Sequence, residues 1–526
     1  MKRKNHSKLL KIVSLMLSVI MVLGMTSMFV SADTVPVGSK DKVVGYITVG
    51  GIEESATATA YRLMTVDFDY SANQPNDPEF YWVDNDKLKA FVNEKYPGIV
   101  NSDGSVNMPI MNGIKDDTTN NKSITFFDQI ASAIRSGKID ITESGSVNGN
   151  DKIENLEMGG YLVLIEGGEK VYRASAVNVV PLYSDSKWVV DCPTIQVKSS
   201  ETQIEKKILT ATGNSVDKSV ASIGDTINFE IITKVPKYPM NAIHKTYTVG
   251  DKAVSGFTIK SDTIKVYGEG TQLLDNTGDK YYKLTVTDAN DFEVAFKYDA
   301  IKNYSSITVK YDALLDNKAD IGENGNENDA FLTYSNNPYG TKDSVKKYED
   351  SAIVYTYGFD LTKVDKSNTS KKLTGAEFTL YLDEDLKNSI AFTGTDGSYI
   401  KRDGTEEDVT VTTVKVDENG KLILKGLKTG TYYLKETKAP SGYNIQRDPF
   451  QIMIYNDNDF IATDRNEGRF ENGLVTKNIE NSNGFALPTT GDMGTILFAA
   501  GGVALVALGA VLVIMARRRS KNADAA

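Results

Sequence analysis

The sequence predicts a mainly β protein: tandem β-sandwiches, with small helical insertions in the first domain and a transmembrane helix near the C-terminus. Three observations carry this. First, short apolar runs, many alternating with polar residues and rich in Thr, Val and Tyr, are separated by Asn/Asp/Gly clusters, the pattern of strands joined by turns. Second, a length of 526 residues is enough for three or four such domains. Third, Thr495 to Ala516 is an apolar run followed by Arg517, Arg518 and Arg519. About 20 apolar residues cross a bilayer core as a helix, and a basic cluster just beyond keeps that end cytoplasmic.

Composition excludes several functions. A formal charge of −11 argues against nucleic acid as a partner. Cys192 is the single cysteine, so disulfides within one chain are excluded. Of two histidines, His6 falls in the N-terminal leader and only His244 remains, too few for a histidine-based metal site or a Ser-His-Asp triad. No cofactor is expected, and no enzyme activity.

Taken in order, residues 1–32 read as a signal peptide. Lys2, Arg3, Lys4 and Lys8 precede the apolar run Leu9 to Val30, and Val30-Ser31-Ala32 is a small-residue cleavage site. The first domain, 33–198, opens with strand-like runs at Val43 to Val49 and Thr57 to Val66. Helical spacing follows at Asn85 to Tyr96, with Leu88, Phe91 and Val92 on one face, and at Ser123 to Ser136, with Phe126, Ile130 and Ile134. A strand from Gly159 to Ile165 then leaves a glycine turn. The second domain, 199–355, has expected strands at Gln203 to Leu209, Asp225 to Thr233, Gly256 to Val266, Tyr281 to Thr287, Phe292 to Tyr298, Ser306 to Leu315 and Ala330 to Ser335. The third, 356–484, starts with Phe359 to Asp365. Residues 485–526 form the tail.

The tail carries the first resemblance. Leu487-Pro488-Thr489-Thr490-Gly491, the apolar span and the Arg cluster stand in the order of a cell-wall sorting signal, and resemble the substrates of sortase transpeptidases in Gram-positive bacteria. In the third domain, Leu373-Thr374-Gly375-Ala376-Glu377-Phe378 and the run Gly426 to Tyr443 around Glu436 are similar to the B-type repeat of collagen-binding surface proteins (the Cna type), which implies immunoglobulin-like sandwiches. Residues 322–338 resemble the final strand of the second domain of major pilins. The run Trp188 to Lys198 resembles the pilin motif whose common form is Trp, a few residues, then Val-Tyr-Pro-Lys. Here Ile195-Gln196-Val197 replaces Val-Tyr-Pro.

The resemblance implies two kinds of lysine chemistry. Between subunits, a sortase would hold the chain as a thioester at Thr490, release Gly491 and pass the acyl group to the amine of Lys198. Within domains, a lysine amine would attack an asparagine amide while a carboxyl group polarises the carbonyl and ammonia leaves; an apolar pocket favours the neutral forms this needs. The third-domain set is Lys363, Glu436 and Asn481, with Asn478 and Asn483 as rivals to the last. The middle-domain set is Lys206, Asp251 and Asn328, with Lys207 and Asn336 as rivals. The first domain shows no such set. Alternation supports the assignments: Ile204, Lys206 and Ile208 share a face, as do Asn328, Ala330, Leu332 and Tyr334; Leu361, Lys363 and Asp365; Leu434 and Glu436; and Ile479 and Asn481.

Other signals are weaker. Lys234 to Pro239 contains Pro-Lys and Tyr-Pro in the wrong order and reads as a strand running into a loop. The acidic residues Asp316, Asp320, Glu323, Glu327 and Asp329 do not have the spacing of a calcium loop and read as a solvated turn. The expected function is a structural subunit of a covalent surface pilus, secreted and anchored to the cell wall. Its expected partners are sortases, further copies of itself and peptidoglycan, with accessory pilins and host surface ligands also admitted. The alternative is a wall-anchored adhesin or accessory pilin linked only through Thr490.

Overall fold

The structure is a computed structural model. It describes residues 33–36, 44–67, 79–117, 119–120, 122–184, 187–339, 344–405, 410–465, 468–483 and 501–515. The predicted signal segment, the pentapeptide from Leu487 to Gly491 and both ends of the predicted span lie outside these residues. Residues 501–515 are helical. No helix among the described residues is long and apolar enough to cross a membrane. The chain divides into two compact units, one reaching to Tyr355 and the other beginning at Thr356 with the short segment Ile321–Glu323.

In the first domain, Val44–Gly50, Ala56–Asp67 and Gly159–Gly167 are strands close to where alternation predicts them. The strand Gly159–Gly167 runs antiparallel to Ala56–Asp67, with a register shift between Arg62 and Met64. A Cβ on Gly159 would stand 2.2 Å from the Met64 carbonyl oxygen, so this close approach requires glycine. The helix Asp86–Lys95 is capped by Asn85, whose side chain accepts from the Leu88 amide at 2.9 Å, and it buries Leu88, Phe91 and Val92. The helix Lys122–Arg135 buries Phe126, Phe127 and Ile130 against Trp82 and Tyr96.

A third helix, Met108–Asp116, stands where sequence reading gives none. Pro109 and Gly113 read as breakers, yet the proline occupies the first turn, where a missing N–H costs nothing. Asn107 caps it.

The middle domain is two six-stranded sheets. One holds Ile204–Leu209, Thr226–Lys234, Ser306–Leu315 and Phe257–Gly268 as consecutive neighbours; the other holds Val345–Tyr355, Asn326–Ser335, Tyr247–Ala253, Asp291–Phe296 and Tyr282–Asp288. The strand expected to run to Tyr298 stops at Phe296, because Tyr298 opens a short helix, Tyr298–Ile301. Gly250 pairs with Phe331 across two strands, and the Phe331 ring lies where a Cβ on Gly250 would stand, 2.1 Å from it. The first two domains also touch. The Tyr339 hydroxyl donates to buried Asp128 at 3.0 Å, and the Asn336 amide donates to the Gly168 carbonyl at 2.9 Å.

The third domain is again two sheets. In one, Tyr357–Asp365 lies between Lys421–Leu427, antiparallel, and Leu474–Asn481, parallel. In the other, Gly430–Lys438 lies between Glu377–Tyr381 and Phe450–Asn456. The first and last strands of the domain are therefore neighbours, which sets the geometry below.

Candidate functional site: buried lysines and an exposed one

In the third domain, parallel pairing aligns Lys363 with Ile479 and Asp365 with Asn481. Lys363, Glu436 and Asn481 are 1%, 1% and 3% exposed, so three polar side chains share one dry interior. The Lys363 amine donates to the Asn481 amide oxygen at 2.5 Å and to the Ile479 carbonyl at 3.2 Å, and lies 3.4 Å from Glu436 Oε1. The Asn481 amide nitrogen donates to both Glu436 oxygens at 3.0 Å and to the Asn444 carbonyl at 2.9 Å. The Gln446 amide N–H also donates to Glu436, at 2.7 Å. Rings of Phe378 and Phe450 wall the amine at 5.6 and 5.3 Å. Burial pushes the Lys363 amine down to about 8, against the opposing pull of Glu436. About a tenth of such an amine is neutral, hence nucleophilic, at pH 7, far more than of an ordinary lysine. The rivals Asn478 and Asn483 are exposed.

In the middle domain, Lys206, Asp251 and Asn328 are each fully buried. Lys206 comes from one sheet; Asp251 and Asn328 come from adjacent strands of the other, with Asp251 opposite Ala330 and Asn328 opposite Ala253. The Lys206 amine donates to Asp251 Oδ2. It also donates at 2.8 Å to the Tyr311 hydroxyl, which sequence reading does not single out. That hydroxyl donates to Asp251 Oδ2 at 2.6 Å and accepts from the Asn328 amide nitrogen at 2.9 Å. Burial dominates here: it lowers the Lys206 amine and raises the Asp251 carboxyl, moving both toward neutrality. Asp251 Oδ1 and Asn328 Oδ1 are buried without a hydrogen-bond partner among the described residues. Protonation of Asp251 would turn one of these acceptors into a donor. The rivals are engaged elsewhere, Lys207 with Asp217 near the surface and Asn336 with Gly168.

The signal for Tyr311 was available. Val309, Tyr311 and Ala313 alternate onto the buried face of Ser306–Leu315, and a buried tyrosine hydroxyl needs a partner.

Lys198 is exposed and belongs to no strand. It lies between Thr194–Gln196 and Ser199–Ser200, held by backbone bonds from the Val197 N–H to the Gly50 carbonyl and from the Arg173 N–H to its own carbonyl. Trp188 is in the strand Lys187–Cys192, edge-on to Tyr183 at 5.3 Å. Cys192 is buried, and burial pushes its thiol up, which suits packing rather than reactivity. Thr490 lies outside the described residues. No cluster of acidic, histidine or cysteine residues suited to a metal occurs among the described residues; Asp316 instead accepts from Thr258 and from the Lys318 N–H.

Comparison with known proteins fits this architecture. The SpaA prealbumin-like fold domain matches residues 358–468, and the LPXTG cell wall anchor motif matches residues 479–522. The trypsin-resistant surface T6 protein of Streptococcus pyogenes serotype M6 is 30% identical over 282 residues, 49% of this chain and 47% of that protein. Fimbrial subunit type 1 of Actinomyces viscosus is 26% identical over 345 residues, 58% of this chain and 63% of that protein. The chain thus spans less than two thirds of either relative. The T6 backbone pilin of serotype M6 Streptococcus pyogenes superposes with a TM-score of 0.58 over 84% of this chain and 99% of that one, at 21% identity, which shows a shared fold.

Tandem β domains ahead of an LPXTG anchor define a wall-anchored protein of the Gram-positive cell surface. Within that class, the two relatives are named as a trypsin-resistant surface protein and a fimbrial subunit, and the superposed structure is that of a backbone pilin.

Proposed function

We propose that this chain is the shaft subunit of a covalently polymerised pilus, in which sortase joins Thr490 of one subunit to Lys198 of the next. In this reading, Lys363–Asn481 and Lys206–Asn328 isopeptide bonds brace the third and middle domains. The observation that carries it is the gathering of a buried lysine, a carboxyl group and an asparagine in each of two domains. Burying an unlinked amine costs several kcal/mol, and such an arrangement persists where it has a use.

The internal reaction needs no enzyme. The neutral amine attacks the asparagine Cγ, a C–N bond forms, the old C–N bond breaks, and ammonia leaves with a proton supplied through the neighbouring acid. Proximity in the folded core replaces the entropy cost of bringing the two groups together. For the intersubunit step, exposure of Lys198 outside any strand supports access to an enzyme cleft.

Wall extracts separated under denaturing conditions test the polymer. The parent strain is expected to give a high-mass ladder, and Lys198→Ala to collapse it to monomer. A single band in the parent strain would leave a wall-linked adhesin instead.

A further inference from the structure

We infer that the Tyr311 hydroxyl is a catalytic group of the middle domain, carrying the proton from the attacking Lys206 nitrogen to the leaving nitrogen of Asn328. This rests on the isopeptide reading above and deepens it. A phenol has one donor and two acceptor positions, and Tyr311 uses all three: it donates to Asp251 and accepts from Lys206 and Asn328. It is therefore the atom common to nucleophile, acid and leaving group.

In the third domain no such bridge is needed, because the Glu436 carboxylate itself reaches the Asn481 amide nitrogen at 3.0 Å while lying 3.4 Å from the amine. Asp251 is one methylene shorter. The Asn328 amide nitrogen meets Tyr311, and its contact with the acid runs through that hydroxyl.

The step balances. As the Lys206 nitrogen bonds to Asn328 Cγ it becomes cationic and the carbonyl π pair moves onto Oδ1, to return and re-form the C=O as the leaving nitrogen departs; Asn328 Nδ2 meanwhile loses its amide resonance and becomes basic. Tyr311 gives its proton to Nδ2 and takes one from the Lys206 nitrogen, so the hydroxyl is regenerated. The Cγ–Nδ2 bond breaks and neutral ammonia leaves, with the electron pair of that bond on its nitrogen. Asp251 accepts from the hydroxyl and holds it in place. The ring is fixed independently of its hydroxyl, stacked on Phe229 at 5.5 Å and edge-on to Phe292 at 5.0 Å, so Tyr311→Phe keeps the packing and removes the hydroxyl with its three hydrogen bonds.

The test is peptide mass spectrometry of the folded full chain, scoring the middle-domain and third-domain links separately over time after synthesis of the chain. Tyr311→Phe is expected to slow the Lys206–Asn328 link at least tenfold and leave Lys363–Asn481 unchanged. Tyr311→Phe with Asp251→Glu is expected to restore the middle link, since the longer acid fills the vacated space and reaches the amide as Glu436 does. That rescue is one a merely structural tyrosine would not permit, and the double variant carries the test if the single one does not fold. A Tyr311→Phe chain that links at the wild-type rate, or a folded double variant that stays unlinked, overturns the relay while leaving the isopeptide reading intact. A wild-type chain with no middle-domain link overturns both.

Discussion

The two buried lysine sites differ in how acid and amide are connected. In the third domain Glu436 contacts the Lys363 amine and the Asn481 amide directly. In the middle domain Asp251 contacts Lys206, and Tyr311 completes the circuit to Asn328. The arms differ by one methylene, about 1.5 Å, and a phenol makes up the difference. What both sites share is a buried lysine amine, a carboxyl group and an asparagine amide gathered among apolar residues; the group that meets the amide nitrogen differs, Glu436 in one and Tyr311 in the other. The first domain offers a contrast: among its described residues the buried polar groups include Asp128, Asn178 and Asp191 but no lysine. Its helices and two apolar clusters hold it instead.

Removing the acid should break each site and gives the largest effect. Glu436→Ala is expected to leave Lys363 and Asn481 unlinked, releasing a restraint between residues 118 apart in sequence. By analogy with a disulfide closing a loop of that size, the domain should lose about 4–5 kcal/mol, read by thermal denaturation. Asp251→Ala should do the same to the middle domain alone. A third domain that keeps its link without Glu436 would remove the acid from the scheme.

An intermediate effect separates a free buried amine from an amide. In Asn481→Ala the Lys363 amine remains titratable, with burial holding it at about 8 against an ordinary 10.5. Between those values the unfolded chain binds a proton that the folded chain has released, so stability rises as pH rises through the window. The gain should approach roughly 3 kcal/mol relative to wild type, whose amide does not titrate. It is measured as the difference between the two chains in denaturant midpoint as a function of pH. Parallel profiles would mean that wild-type Lys363 is also a free amine.

The smallest effects sharpen the assignment. Asn478→Ala, at an exposed neighbour, and Lys207→Ala, at a half-buried one, should change stability by no more than about 0.5 kcal/mol and leave both links in place. Loss of either link would shift the assignment to the neighbour.

Much of this was legible in the sequence. Alternation puts Lys206 with Ile208, Glu436 with Leu434 and Asn481 with Ile479, and each is buried in that pattern. Alternation puts Lys363 on one face with Leu361 and Asp365, but the strand from Leu361 to Asp365 is buried on both faces, so the pattern alone does not set the lysine apart from its neighbours. Tyr311 was passed over for another reason: alternation marks it as inward and its hydroxyl as needing a partner, but between Val309 and Ala313 it looks like ordinary core, and three-dimensional proximity is what shows which partners it has. The strand Val345–Tyr355 escaped because Lys346, Lys347, Glu349 and Asp350 interrupt the apolar pattern, while its pairing with Asn326–Ser335 supplies the order. Composition could not show that proline at the second position of Met108–Asp116 would start a helix rather than stop one.

The central claim, that buried lysine amines become amides, is tested most directly by the intact mass of the folded chain. Each link expels one ammonia, so two links should lower the mass by about 34 Da from the value the sequence dictates, roughly 17 Da for each proximity-driven condensation. Branched peptides joining Lys363 to Asn481 and Lys206 to Asn328 should account for the deficit. A mass equal to that of the unmodified sequence would contradict the account.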